Sequence, residues 1–262
     1  MTCQGQALNS LAERLKELRE AGRRVCEKIL RERGDVVAVL VVGSVARGDI
    51  HEGSDVDLCV LVESGYAVRE ELIEGGCVVD VSYAPLNLWM ERLRRDVGSM
   101  WEINVSNILD SIVLYDPRGL VDRIKRELSR YPEEKRRENF LHHFYMMGWH
   151  ENSVKHYYAR GSYDFAAIFS KLFALESLRA LFPLNGVYLR GDKYIFDQIG
   201  SLRAPPGFIE GCMSLLWFKA RGVTREEAGW IMSTISTLRR AIEAEARSLG
   251  LLPAPHQLGQ PR

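Results

Sequence analysis

The spacing of apolar residues divides the chain near residue 130. Before that point, apolar residues recur every three, four or seven positions over residues 8–30, which predicts an amphipathic helix. The continuous apolar run Val36–Val42 predicts a strand buried on both faces. Further strands are predicted at residues 55–63, 67–74, 77–84 and 111–115, with Gly75-Gly76 as a hairpin turn, and helices at 86–97 and after Asp116-Pro117.

Helical periodicity dominates after Pro132. Thr224 and Glu227 form a capping-box pattern at the start of the last helix. The predicted helices cover residues 133–160, 163–182, 192–201, 206–219 and 224–249. We therefore predict an α+β protein: a small mixed β-sheet domain, an all-α helical-bundle domain and a disordered tail rich in proline and glutamine, at residues 1–130, 131–251 and 252–262 respectively.

Composition narrows the class of protein. Of 262 residues, 46% are hydrophobic and 27% charged, with 35 basic and 35 acidic side chains. Because the net charge is zero, no overall positive field indicates nucleic-acid binding. Five cysteines without a C-x-x-C pair indicate neither a disulfide framework nor a zinc site. With no signal-peptide pattern and no apolar run long enough to span a bilayer, we expect a cytoplasmic protein without a membrane partner.

Candidate chemistry is concentrated where the first predicted strand ends. Asp55 and Asp57 lie two residues apart in a predicted strand, so both side chains point to one face and repel each other. A divalent cation such as Mg²⁺ would turn that repulsion into binding. Gly43 would allow a phosphate to approach the backbone, and Ser44 offers a hydroxyl. Asp80 interrupts an apolar strand and can reach the same cation if the two strands are neighbours.

Each aspartate also has an ordinary structural explanation. Asp55 could be a turn residue, Asp57 a solvated edge residue, and Asp80 the partner of a nearby arginine. The whole set, following a Gly-Ser pair at the end of a buried strand, favours the metal-binding interpretation.

At this point the sequence resembles a known family. Gly43-Ser44, ten intervening residues and then Asp55-Val56-Asp57-Leu58 are similar to the pattern of the DNA polymerase β-like nucleotidyltransferase superfamily. Ala46-Arg47-Gly48 and Ser54 resemble its small bacterial and archaeal members. Residues 181–188 are similar to the helical domains that accompany antibiotic-modifying adenylyltransferases.

The resemblance implies Mg²⁺-dependent transfer of a nucleoside monophosphate, expected to be AMP from ATP, to a hydroxyl of a small molecule, with release of pyrophosphate. Asp55 and Asp57 would bind two Mg²⁺ ions, while Asp80 would complete the metal site or take the proton from the acceptor. Gly43 and Ser44 would hold the β- and γ-phosphates.

Basic residues would complete the triphosphate site. Arg47 is a candidate phosphate contact, although a surface arginine is an equal alternative. Lys193 would contribute a point charge from the helical domain, which we expect to form the second wall of a cleft. Lys155 and Arg160 are alternatives to Lys193.

Other functions remain open at the level of sequence. The chain could be an antitoxin-like nucleotidyltransferase that modifies or binds a partner toxin protein, or a binding module with a vestigial site. Arg137 and His142 match the permissive R-x4-H spacing of HEPN-type RNA-cleaving domains. His143 and His150 share a helix face and could bind a metal with Glu151.

Overall fold

The computed structural model describes residues 3–253, with side chains from Ser10 onward. The strands are β1 (Val36–Val42), β2 (Val56–Val62), β3 (Val68–Glu74), β4 (Cys77–Pro85) and β5 (Ile112–Tyr115). The helices are α1 (Cys3–Glu32), α2 (Gly43–Arg47), α3 (Leu86–Arg95), α4 (Ser99–Asp110), α5 (Leu120–Leu128), α6 (Glu133–Ala159), α7 (Tyr163–Asn185), α8 (Ile195–Gln198), α9 (Phe208–Trp217) and α10 (Arg225–Ser248). Short 3₁₀ turns at Asp192–Tyr194 and Ile199–Ser201 flank α8.

The chain forms two compact units, which confirms the predicted α+β class. The first unit holds the sheet and runs to Asp96, continuing with Asn104–Arg130. The second unit is helical and consists of Val97–Ile103 together with the chain from Tyr131 onward. Within the described residues, none of the helices combines the length and the apolar character that crossing a bilayer requires.

The first unit is built on a five-stranded mixed sheet in the order β3-β4-β2-β1-β5. Strands β2 and β4 are parallel, whereas the other neighbouring strands pair antiparallel. All seven residues of β1 are apolar, and the five between its two end residues are buried. On one face, α1 packs Leu18, Ala21 and Val25 into the same apolar cluster as Val39 and Val41 of β1.

The hairpin between β3 and β4 fixes the register at the edge of the sheet. Gly75 and Gly76 both have positive φ angles, 57° and 76°, as a tight two-residue hairpin turn requires. Glu74 therefore pairs with Cys77, and the register carries Glu71 opposite Asp80. The predicted hairpin is confirmed.

Three helical predictions differ from the structure. Residues 99–110, for which the sequence pattern predicts no element, form α4. The helix expected from Asp116-Pro117 begins only at Leu120, because both carboxylate oxygens of Asp116 accept hydrogen bonds from the amides of Leu120 and Val121 at 2.9 and 2.8 Å. The helix expected at 192–201 is broken into α8 and its two 3₁₀ turns.

The second unit has its core between α6, α7, α9 and α10. The largest fully buried side chains there include Phe140 and Met147 of α6 and Phe173, Leu178 and Phe182 of α7. Thr224 caps α10 as predicted, in a reciprocal capping box with Glu227. Of the tail predicted to be disordered, Leu252 packs against this core, whereas residues 254–262 lie outside the described residues.

Candidate metal centre

Three aspartates meet where β2 and β4 run side by side. Asp57 and Asp80 are direct register partners in this parallel pair, so their side chains emerge on the same face of the sheet. Asp55 lies just before β2, two residues from Asp57. One carboxylate oxygen from each of the three lies within 4.8 Å of the others. Among the described residues, this group is the one cluster of three or more histidine, cysteine or carboxylate side chains with such spacing.

Gly43 lies directly against this cluster. It follows the last residue of β1, Val42, which pairs with Asp57 across the sheet. Gly43 has a φ of 70°, and a Cβ atom built there would lie only 2.4 Å from Oδ2 of Asp57. A side chain at position 43 would therefore be strained and would also displace the carboxylate. The predicted approach of a phosphate at Gly43 stays a prediction, and the structure shows that the group next to Gly43 is the carboxylate of Asp57.

The segment after Gly43 is held by backbone and side-chain hydrogen bonds. Ser44 lies in the first turn of α2, and its carbonyl accepts from the amide of Gly48 at 2.8 Å, where the helix ends with a φ of 80°. Arg19 of α1 donates to the carbonyl of Val45 at 3.2 Å. Further along, the Ser54 hydroxyl accepts from the amide of His51 at 2.9 Å. These contacts define the loop that carries the chain back to Asp55.

Arg47 is largely buried rather than extended into solvent. Its side chain is 9% exposed, and its guanidinium donates to Asp49 and to Asn107, each at 3.2 Å. Both contacts hold the end of α2 within the first unit. A direct contact between Arg47 and a phosphate stays a prediction, and the structure adds a structural role for this side chain.

The sequence pattern did not identify Arg69, which contacts the aspartate cluster directly. Its Nε donates to the two carboxylate oxygens of Asp80 at 2.7 and 2.8 Å, and a terminal nitrogen donates to Oδ2 as well. This hydrogen bonding holds the pKa of Asp80 below its usual range, so Asp80 is ionised at neutral pH. The hairpin register was the available signal, since it places Arg69 opposite Ser82 and therefore diagonal to Asp80 on one face.

Lys193 belongs to the second unit. It is an exposed residue of the 3₁₀ turn Asp192–Tyr194, and its ammonium lies 5.0 Å from the centre of the Tyr194 ring. Of the two alternative cations, Lys155 pairs with Glu151 at 2.7 Å within α6. The proposed contact between Lys193 and a triphosphate stays a prediction.

Two histidines of α6, His143 and His150, are buried in the second unit. Nδ1 of His143 lies 2.8 Å from Glu176 of α7, and its Nε2 lies 3.9 Å from Glu102, which is fully buried. Although burial alone would lower it, the two carboxylates raise the pKa of His143. His150 is buried as well, and burial lowers its pKa. Neither histidine belongs to a cluster of three candidate ligands in the described part of the chain.

Comparisons with known proteins agree with this geometry. Residues 23–103 match the family model of the nucleotidyltransferase domain, a span that includes β1, β2, β4 and all three aspartates. Among solved structures, the chain is similar to the nucleotidyltransferase-like protein from Exiguobacterium sibiricum 255-15, with a TM-score of 0.62 and 12% identity over 87% of this chain and 77% of that chain. No curated protein matches the sequence. Residues 23–103 therefore match a nucleotidyltransferase domain, in agreement with the resemblance of Gly43-Ser44 and Asp55-Val56-Asp57 to the DNA polymerase β-like superfamily.

Proposed function

We propose that this protein transfers a nucleoside monophosphate, AMP from ATP, to a hydroxyl of a small-molecule acceptor and releases pyrophosphate. The observation that carries the proposal is the convergence of Asp55, Asp57 and Asp80, each with one oxygen within 4.8 Å of the other two, inside a nucleotidyltransferase domain. Attack of the acceptor oxygen on the α-phosphorus forms the new phosphoester bond and releases the hydroxyl proton. The bond from the α-phosphorus to the oxygen that bridges it to the β-phosphorus breaks, and pyrophosphate leaves.

The donor set fits Mg²⁺. Magnesium prefers oxygen ligands and is bound in enzymes through one or two carboxylates together with substrate phosphates. Asp55 and Asp57, partly exposed, leave room for phosphate and water oxygens, and Asp80 supplies a third carboxylate. When bound, two Mg²⁺ ions would stabilise charge on the attacking and leaving oxygens.

The chain's own residues supply positioning around that centre. The parallel pairing of β2 and β4 holds Asp57 beside Asp80. Because Gly43 has no side chain, the Asp57 carboxylate can occupy the space next to it. We assign Ser44, in the first turn of α2, to the triphosphate through its hydroxyl and backbone amide. Such preorganised groups contribute to catalysis because they need no rearrangement during the reaction.

Charge supports a small acceptor rather than a polynucleotide. The chain carries 35 basic and 35 acidic side chains, and so lacks the overall positive field with which proteins attract nucleic acid. The acidic cluster would repel a phosphate backbone wherever metal is not bound. A neutral or cationic molecule with a free hydroxyl avoids this repulsion.

A labelling experiment tests the proposal. The purified full chain is incubated with Mg²⁺ and, in turn, ATP, GTP, CTP and UTP labelled at the α-phosphate, against a small-metabolite extract and a protein extract kept separate. We expect Mg²⁺-dependent transfer of label from ATP into the metabolite fraction, and no transfer by Asp57→Ala. Label that enters only the protein fraction would contradict the small-molecule acceptor and favour a protein target.

A further inference from the structure

Arg69 has a long, exposed side chain that binds Asp80, the nearly buried member of the aspartate cluster. Its side chain is 71% exposed, whereas that of Asp80 is 12% exposed. The guanidinium uses two of its nitrogens and engages both oxygens of Asp80. Because the guanidinium is mostly in solvent, this ion pair contributes less to stability than a fully buried pair whose breakage would leave a buried charge. A contribution to the fold is therefore a weak reason for an arginine at this position.

The charges around Arg69 suggest a different reason. Three carboxylates converge within 4.8 Å, and Glu71 lies opposite Asp80 on the same face of the sheet, which adds a fourth acid nearby. The Arg69 guanidinium donates to both carboxylate oxygens of Asp80, whose carboxylate lies beside those of Asp57 and Asp55. Arg69 thus partly neutralises the whole cluster, which is the task that a metal ion would perform there.

Arg69 and a metal ion therefore oppose each other at Asp80. A metal ion that binds Asp80 needs a carboxylate oxygen that already accepts a hydrogen bond from the guanidinium. The ion also places its two positive charges next to the positive charge of Arg69. Arg69 can leave easily because it extends from β3, an edge strand, and is mostly in solvent. A triphosphate offers it a new partner, since the planar guanidinium fork matches phosphate oxygens as well as carboxylate.

We propose that Arg69 makes metal binding depend on the triphosphate. In the free protein, the guanidinium of Arg69 is hydrogen-bonded to Asp80 and therefore weakens the binding of a metal ion that arrives without a triphosphate. When metal and triphosphate arrive together, the guanidinium moves to the phosphate oxygens and Asp80 becomes available to the metal. This inference rests on the proposed function, because it assumes that the cluster binds a metal–triphosphate complex.

The substitution Arg69→Gln then has opposite effects on two ligands. Removal of the competing cation should tighten the binding of Mn²⁺ alone by about tenfold, the effect of one charge-assisted hydrogen bond. Loss of the phosphate contact should weaken the binding of the Mn²⁺–tripolyphosphate complex by about tenfold. A residue that only stabilised the fold would change both affinities in the same direction.

The experiment uses the full chain. Mn²⁺ binding is followed by electron paramagnetic resonance, and binding of Mn²⁺–tripolyphosphate by calorimetry, so that neither nucleotide preference nor turnover is involved. Arg118→Gln is the matched control, since Arg118 is also an exposed arginine of the first unit, paired with the carboxylate of Glu63. Both of its affinities should equal those of the wild type.

The outcomes separate the inference from the proposed function. Wild-type protein that shows no Mn²⁺–tripolyphosphate site removed by Asp57→Ala would contradict the proposed function. If that site is present but Arg69→Gln binds Mn²⁺ no more tightly than wild type, or binds Mn²⁺–tripolyphosphate equally well, the role of Arg69 is refuted and the proposed function stands.

Discussion

Substitution of Gly43 by alanine tests how the aspartate cluster is positioned. The added Cβ would lie 2.4 Å from Oδ2 of Asp57, whereas ordinary contact begins at 3.4 Å, so the carboxylate must move by about 1 Å. A displacement of about 1 Å in a catalytic group can lower activity by roughly 100-fold. The positive φ of 70° adds about 1–2 kcal/mol of backbone strain to the folded state.

Gly119→Ala separates these two effects. Gly119 also has a positive φ, 60°, and belongs to the first unit, but a Cβ there meets nothing within 4 Å. Both variants should lose about 1–2 kcal/mol in urea unfolding. Only Gly43→Ala should lose Mn²⁺ affinity and about 100-fold in pyrophosphate release. Equal Mn²⁺ affinity and equal pyrophosphate release in the two variants would refute the argument that Gly43 positions Asp57.

Two further predictions concern buried polar side chains, one in each unit. Arg47→Ala should lower the free energy of unfolding by about 1–2 kcal/mol, because the largely buried Arg47 side chain loses its hydrogen bonds to Asp49 and Asn107. Urea unfolding that matches wild type would contradict this. The raised pKa of His143 means that the folded state retains a proton that the unfolded chain releases, so stability falls as the pH rises above the usual histidine value of 6.5. In urea unfolding at pH 6, 7 and 8, His143→Gln should show a shallower decline than wild type, and parallel declines would contradict the assignment.

Much of the sheet was predictable because its residues carry strong local signals. The apolar run of β1 and the Gly75-Gly76 turn determine a buried central strand and an edge hairpin. Helix α4 was missed because its serine, asparagine and β-branched residues have weak helix propensity. Burial of Trp101 and Val105 overrides that propensity, and a single sequence does not show which apolar residues will be covered.

In the candidate site, too, features within one strand were predictable, whereas contacts between elements were not. Asp55 and Asp57 follow from strand periodicity, and Asp80 follows once its strand is taken as their neighbour. The contact between Arg69 and Asp80 was implicit in the hairpin register but required that register to be followed residue by residue. The pairing of His143 with Glu176 joins residues 33 positions apart through helix packing, which periodicity within either helix does not reveal.

The central claim is that the three aspartates support metal-dependent nucleotidyl transfer. It is tested most directly by Mg²⁺-dependent pyrophosphate release from ATP, in the presence of the metabolite extract, by wild type, Asp57→Asn and the surface control Asp122→Asn. We predict release by wild type and by Asp122→Asn, and a loss of at least about 100-fold in Asp57→Asn with unchanged circular dichroism. Release by Asp57→Asn at the wild-type rate would contradict the account.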